Sequence, residues 1–359
     1  MSALDDLVRQ RSIIVCCGSG GVGKTTTAAA LALEAARQGR RACVVTIDPA
    51  KRLADALGLE SLSNVPGRIP GDWPGCLDAL MLDTKSTFDS LVTTYAATPE
   101  QAEAILANRL YRNMAGALSG TQEYMAMEKL HELAAGGAYD LIVIDTPPTR
   151  NALDFLDAPR RLTRFLDNRI FKLLMLPTRA YLKAVSFATQ AFLRTISKVV
   201  GGEVVADAVA FFQAFEGMEE GFRNRAAEVL AMLKDSGTAF VLVTSPRRDA
   251  VEEAAFFADK LGESEIAVDG LVVNRVHPSF GTAPVPSAEL GDLAINLADF
   301  RRIAEREEHH VAALASRIAP APVGRVPFLV DDVHDLDGLA VVGTHLFGAG
   351  SPTPGSTRG

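Results

Sequence analysis

Cysteine is scarce in this chain: four in 359 residues, Cys16, Cys17, Cys43 and Cys76, with no C-x-x-C pair. That pattern excludes a disulfide framework and a paired-thiol zinc site. Three of the four fall in apolar runs that read as buried strands, so the thiols are read as reduced and structural, in a cytosolic protein. No stretch of about 18 uncharged apolar residues occurs, and none is expected to span a membrane. Residues 1–11 lack the apolar centre of a secretory leader. A formal charge of −8 leaves no overall basic excess, which argues against nucleic acid as the main partner. What remains is ordinary: 48% hydrophobic and 22% charged residues, as in a soluble globular protein. The length suggests two domains, but a large α/β fold absorbs it as one core (residues 1–347) with insertions. The end, residues 348–359, is mostly Gly, Pro, Ser and Thr and reads as a disordered tail.

Against these absences stands Gly18-Ser19-Gly20-Gly21-Val22-Gly23-Lys24-Thr25, which fits G-x-x-x-x-G-K-[ST] at every fixed position. The apolar run 12–17 before it predicts a buried strand, and the alanine-rich run 25–38 after it predicts a helix. Strand, glycine loop and helix N-terminus together make a phosphate-binding loop. The glycines let backbone N–H groups turn inward. Those groups and the helix dipole cradle anionic phosphates, with Gly20, Gly21, Val22, Gly23, Lys24, Thr25 and Thr26 as the binding segment. Lys24 adds a charge for the β and γ phosphates, and the Thr25 hydroxyl is a ligand for Mg²⁺.

Two more strands end in carboxylates: 42–48 at Asp48, followed by Pro49-Ala50, and 140–145 at Asp145, followed by Thr146-Pro147-Pro148-Thr149. In an open parallel sheet the strand C-termini converge on one crevice, so both should lie near the phosphates. Asp145 then supports Mg²⁺ through water. Taken singly, either carboxylate also reads as a helix N-cap. Residues 51–57 predict a short helix, 66–75 a loop rich in Pro and Gly, and 77–83, 238–244, 266–275 and 323–328 further strands. Helices are expected over 247–261 and 300–317.

Residues 86–137 and 153–234 read as helical insertions, with apolar residues at spacings of three and four. Between Ala158 and Gly202 there are nine basic residues against Asp167 alone. Three readings stay open: a groove for a hydrophobic client, docking on an anionic membrane surface or acidic partner, or a core-facing lobe with a solvated basic face.

The segments 18–26, 46–50 and 144–149 resemble the ArsA-like ATPases, the family of the arsenical-pump ATPase and of the ATPase that delivers tail-anchored membrane proteins. The family lies in the MinD/ParA class, whose phosphate loop carries an extra lysine. Order and spacing agree over most of residues 12–345. The resemblance implies an α/β fold with a doubly wound, mostly parallel sheet and a helical lobe from the two insertions. It implies ATP and Mg²⁺ as cofactors and a dimer with ATP at the interface. It also implies that Asp48 orients the attacking water and that Asp145 opens a second switch. Asn274 occupies the place of an adenine-contacting Asn, though it also reads as a turn residue. Pro327 and Phe328 are expected to wall the base. No guanine motif stands at Val273-Asn274-Arg275-Val276.

The sequence departs from the family twice. Ser19 replaces the extra lysine, and Arg150-Asn151 replaces Gly-His. A chain that cannot send a lysine across a dimer favours a lysine-bearing paralogue as the second ArsA-like subunit, over a homodimer. The expected function is ATP-driven handling of a hydrophobic or membrane-associated client, in the cytosol or peripheral to a membrane. The alternatives are a nucleotide-gated partner subunit and the energising subunit of an arsenite exporter. The exporter needs converging thiolates, and no Cys follows Cys76.

Overall fold

The computed structural model describes residues 3–48, 50–114, 121–146, 202–281 and 291–348, together with residues 158, 160, 161, 163, 164 and 167. Along the chain run α1 (Ala3–Gln10), β1 (Ile13–Cys17), α2 (Lys24–Arg37), β2 (Arg41–Thr46), α3 (Arg52–Ala56), β3 (Gly67–Ile69) and β4 (Cys76–Met81). Then follow α4 (Thr84–Tyr95), α5 (Pro99–Ala107), α6 (Arg109–Met114), α7 (Thr121–Ala135) and β5 (Leu141–Asp145). The last are α8 (Gly202–Ala214), α9 (Glu219–Lys234), β6 (Thr238–Thr244), α10 (Arg248–Glu263), β7 (Gly270–Val276), α11 (Asp292–Arg317), β8 (Val323–Pro327) and α12 (Leu336–Phe347).

The eight strands form one sheet in the order β3-β4-β2-β5-β1-β6-β7-β8. Every pairing is parallel except β3 with β4. β1, β5 and β6 are buried at all positions, as strands covered on both faces must be. The expected α/β class is the observed one. The chain steps from β1 outward to β2 and β4 on one side, and to β6, β7 and β8 on the other. β1 therefore sits where the winding reverses, the place where such sheets bind ligands.

By its contacts the chain forms two units: Met1–Leu82, Leu133–Leu153 and Lys234–Gly359 in the first, Asp83–Glu132 and Asp154–Leu233 in the second. The first holds the whole sheet. Its core is aliphatic and centred on α2, whose Ala28, Ala29, Ala30, Ala32, Ala35 and Ala36 are all buried. Small side chains on α2 allow close approach on every side, and α1 and α12 take advantage of it. Leu4 and Val8 of α1 and Leu339, Val342 and Leu346 of α12 join the same cluster, each burial contributing roughly 2 kcal/mol. Neither helix follows from the phosphate-loop reading.

The second unit is helical and its core is aromatic. Tyr95 packs on Phe222 and Phe222 on Phe215, with ring centroids 5.0 and 5.6 Å apart; Phe88 stacks on Tyr111 at 5.3 Å. Caps start its helices: the Asp83 carboxylate accepts the Ser86 N–H of α4, and the Thr98 hydroxyl accepts the Gln101 N–H of α5. Most of the basic stretch lies outside the described residues, as do 147–157, with Arg150 and Asn151, and the tail beyond Gly348. Among the described residues no helix is long and apolar enough to cross a membrane.

Several expectations shift. The loop over 66–75 contains β3, three residues on the sheet edge, too short for periodicity to reveal. α11 begins at Asp292 rather than near 300, because its first turns carry Leu293 and Ile295 facing solvent and so show no buried stripe.

Candidate functional site

β1 delivers the chain into the phosphate loop at two places where only glycine fits. A Cβ on Gly18 would lie 2.0 Å from the Val243 carbonyl oxygen, and one on Gly23 would lie 2.1 Å from the Asn274 amide nitrogen. Gly23 has φ 98° and caps α2, so the helix begins at Lys24. The loop therefore presents a helix N-terminus at the end of the central strand. Of the residues expected to bind phosphate, Gly21, Gly23, Lys24, Thr25 and Thr26 line a cleft of about 960 Å³. Val22 instead buries its side chain in the core, and Gly20 is exposed.

Lys24 is buried, and its ammonium donates to the Ser19 carbonyl at 2.8 Å. Burial pushes its pKa down, while the nearby Asp145 pulls it up. Asp145 is 1% exposed. Its Oδ2 accepts from the Thr25 hydroxyl at 2.7 Å and from the Thr46 hydroxyl at 2.9 Å. Among the described residues its Oδ1 is buried with no hydrogen-bond partner. Burial raises this carboxyl's pKa; the Thr25 and Thr46 hydroxyls and Lys24 oppose the rise. An unsatisfied carboxylate oxygen inside a protein is costly. Its place beside the Thr25 hydroxyl, at a phosphate loop, gives a hard cation or its bound water two oxygen donors.

Asp48 lies two residues past the end of β2. Its carboxylate is turned onto its own segment, accepting the Ala50 N–H at 2.9 Å and pairing with Arg52 at 3.5 Å. The sequence reading gave Thr46 and Arg52 no role. Thr46 links the two carboxylate segments: its hydroxyl donates to Asp145 and accepts the Asp48 N–H at 3.2 Å. Arg52 could have been noticed by its spacing, four residues after Asp48 at the start of α3.

Asn274 and Pro327 line the same cleft, with Phe328 beside them, 62% exposed. Asn274 does not reach freely into the cleft. Its amide donates to the Val22 carbonyl at 3.0 Å, and its oxygen accepts the Arg275 N–H at 2.9 Å. Thr146 anchors the chain after β5, its hydroxyl donating to the Cys16 carbonyl at 2.8 Å. The structure thus brings Lys24, Thr25, Asp48, Asp145, Asn274 and Pro327 to one cleft.

The sequence model of the anion-transporting ATPase family, ArsA, matches residues 11–346. The chain is similar to ATPase GET3 of Malassezia globosa, 25% identical over 96% of this chain and 93% of that one. It is similar to ATPase GET3B of Arabidopsis thaliana, 27% identical over 89% and 77%. An uncharacterised protein of Streptomyces coelicolor is 31% identical over 77% of this chain and 65% of its own length. With the phosphate loop at the reversal point of the sheet and the match running over nearly the whole chain, the protein is an ATP hydrolase and belongs to the ArsA family of anion-transporting ATPases.

Proposed function

We propose that the chain hydrolyses ATP with Mg²⁺ and that the cycle opens and closes a two-subunit assembly that handles a hydrophobic or membrane-associated client. The observation that carries the chemistry is the pairing of the Thr25 hydroxyl with a buried Asp145 whose Oδ1 lacks a partner. Thr25 would hold Mg²⁺ directly and Asp145 through water. Bound there, Mg²⁺ would neutralise charge on the β and γ phosphate oxygens. Lys24 would stabilise the oxygen bridging those phosphates, and the loop amides would hold the phosphates in place. Asp48 would orient the attacking water. Its carboxylate accepts one N–H, from Ala50, and faces Arg52 at 3.5 Å, which leaves it lone pairs for a water.

The client side of this reading rests on the family resemblance and on the basic stretch 158–202. Ser19 bears on the partner. In a homodimer neither site would receive a lysine from across the interface; with a lysine-bearing paralogue this chain's own site would be completed. Ser19 also favours a second reading, in which this chain is a nucleotide-gated subunit with little activity of its own.

Steady-state turnover, with and without Mg²⁺, tests the site. Asp48→Asn should bind ATP as the parent does while kcat falls about a hundredfold, because an orienting group acts in the transition state. Unchanged turnover would remove Asp48 from the mechanism. Low turnover of the chain alone, rescued by a paralogue and lost when the paralogue's lysine is changed, is the result the heterodimer requires. Full activity alone, with no gain from Ser19→Lys, would exclude it.

A further inference from the structure

Two residues at the end of β7 grip the phosphate loop by its carbonyls. The Asn274 amide donates to the Val22 carbonyl at 3.0 Å, and the Arg275 guanidinium donates to the Gly21 carbonyl at 3.3 Å. The backbone is bent to allow this. The register of β7 against β8 shifts between Asn274 and Val276, and Arg275 has φ 61°, a conformation that L side chains rarely adopt. Such irregularities re-aim side chains beside ligand sites.

The consequence follows from the planarity of the peptide unit. In a trans peptide the carbonyl and the next N–H point in opposite directions. Holding the Gly21 carbonyl on Arg275 turns the Val22 N–H away from that side chain. Holding the Val22 carbonyl on Asn274 does the same for the Gly23 N–H. We propose that Asn274 and Arg275 are positioning residues that fix the phosphate loop's amides for a polyphosphate before it arrives. This rests on the nucleotide reading of the cleft. It gives Asn274 a task besides any contact with the base: one amide N–H goes to the Val22 carbonyl, and its oxygen accepts the Arg275 N–H. Gly23 has φ 98°, which L side chains rarely adopt, and the Asn274 amide is seated where its Cβ would go. Arg275 also sets a cation at the cleft in a chain whose residue 19 is a neutral serine.

Calorimetric binding of ATP and of inorganic tripolyphosphate, each with Mg²⁺, separates the two tasks, because tripolyphosphate has no base. Asn274→Ala should weaken both ligands alike, by about tenfold, the loss of one well-made hydrogen bond that orders the loop. Arg275→Gly should weaken both by about threefold, since its bond is longer and exposed. It should leave Tm unchanged or higher, because glycine accepts φ 61° without strain. Arg275→Lys should restore part of the lost affinity. If Asn274→Ala weakens ATP while tripolyphosphate is unaffected, Asn274 reads the base and the proposal falls. A drop in Tm with Arg275→Gly and no change in either affinity would make Arg275 merely structural. A parent chain that binds neither ligand would overturn the nucleotide reading itself, a result distinct from both.

Discussion

The molecule buries two carboxylates in very different company. Asp145 lies at the end of β5 in the sheet unit; Glu128 lies on α7 in the helical unit, 3% exposed. Burial raises the pKa of both. Glu128 is satisfied on each oxygen: Oε1 accepts from the Tyr124 hydroxyl and Oε2 pairs with Arg225 at 3.3 Å. Arg225 itself is shared with Tyr95 at 3.0 Å and Glu228 at 3.3 Å. Among the described residues Asp145 has two hydroxyls on one oxygen and nothing on the other. A completed network holds helices together. An incomplete one, in the wall of a cleft, leaves an acceptor for something the chain does not itself supply. Burial alone therefore does not mark a functional carboxylate; the missing partner does.

The sharpest way to break this contrast is to neutralise each carboxylate in turn. Asp145→Asn should lower turnover by about a hundredfold or more while Tm holds or rises, since a poorly compensated buried charge is removed. Glu128→Gln should leave turnover within about twofold. A Glu128→Gln enzyme as impaired as Asp145→Asn would show that the helical network also serves catalysis.

Removing one hydroxyl from each network gives a smaller effect. Thr46→Val takes a donor from Asp145 and an acceptor from the Asp48 N–H. Turnover should fall about tenfold, with a stability loss of about 1–2 kcal/mol by urea unfolding. Tyr124→Phe should cost about 1 kcal/mol in stability and nothing in turnover.

The effect of pH reads on stability alone and leaves turnover aside. Burial pushes the Glu128 carboxyl up to about 7 from 4.5, with its charged neighbours Glu228 and Glu132 adding to the rise and Tyr124 and Arg225 opposing it. The stability it contributes is present in full below about 4.5 and is lost as pH rises toward 7. The loss is about 3 kcal/mol at most. His131 acts the other way: burial, then Arg225, push its imidazole down from 6.5, so its contribution is present above 6.5 and lost as pH falls through the lowered value. The unfolding midpoint of the parent minus that of Glu128→Gln, followed from pH 5 to 8, isolates the carboxyl. The difference should decline with rising pH. A flat difference would mean that Glu128 stays ionised in the fold.

The sequence shows the loop at 18–25 because all its chemistry lies in eight consecutive residues. β1, β2, β5 and β6 show because strands buried on both faces need unbroken apolar runs. Asp48 and Asp145 show because each follows such a run. The rest depends on tertiary partners. Thr46 looks like any strand-end threonine until the Asp145 carboxylate and the Asp48 N–H are seen to share its hydroxyl. The resemblance implies a place for Asn274 at the base, whereas the carbonyl it donates to, that of Val22, is 252 residues away. α1 and α12 are short, and their apolar positions acquire meaning only when they dock on an alanine-covered α2.

That separation of 252 residues also sets a clock. At synthesis rates of about 5–20 residues per second, Val22 leaves the ribosome roughly 10–50 s before Asn274. Throughout that interval the loop exists without the residues that fix its carbonyls, and α2 exists without α12. A nascent chain can already pair β2 with β4, yet it carries an unbraced phosphate loop until β7 has emerged. If Asn274 and Arg275 position the loop as proposed, nucleotide capture would wait until β7 docks against a loop made 252 residues earlier.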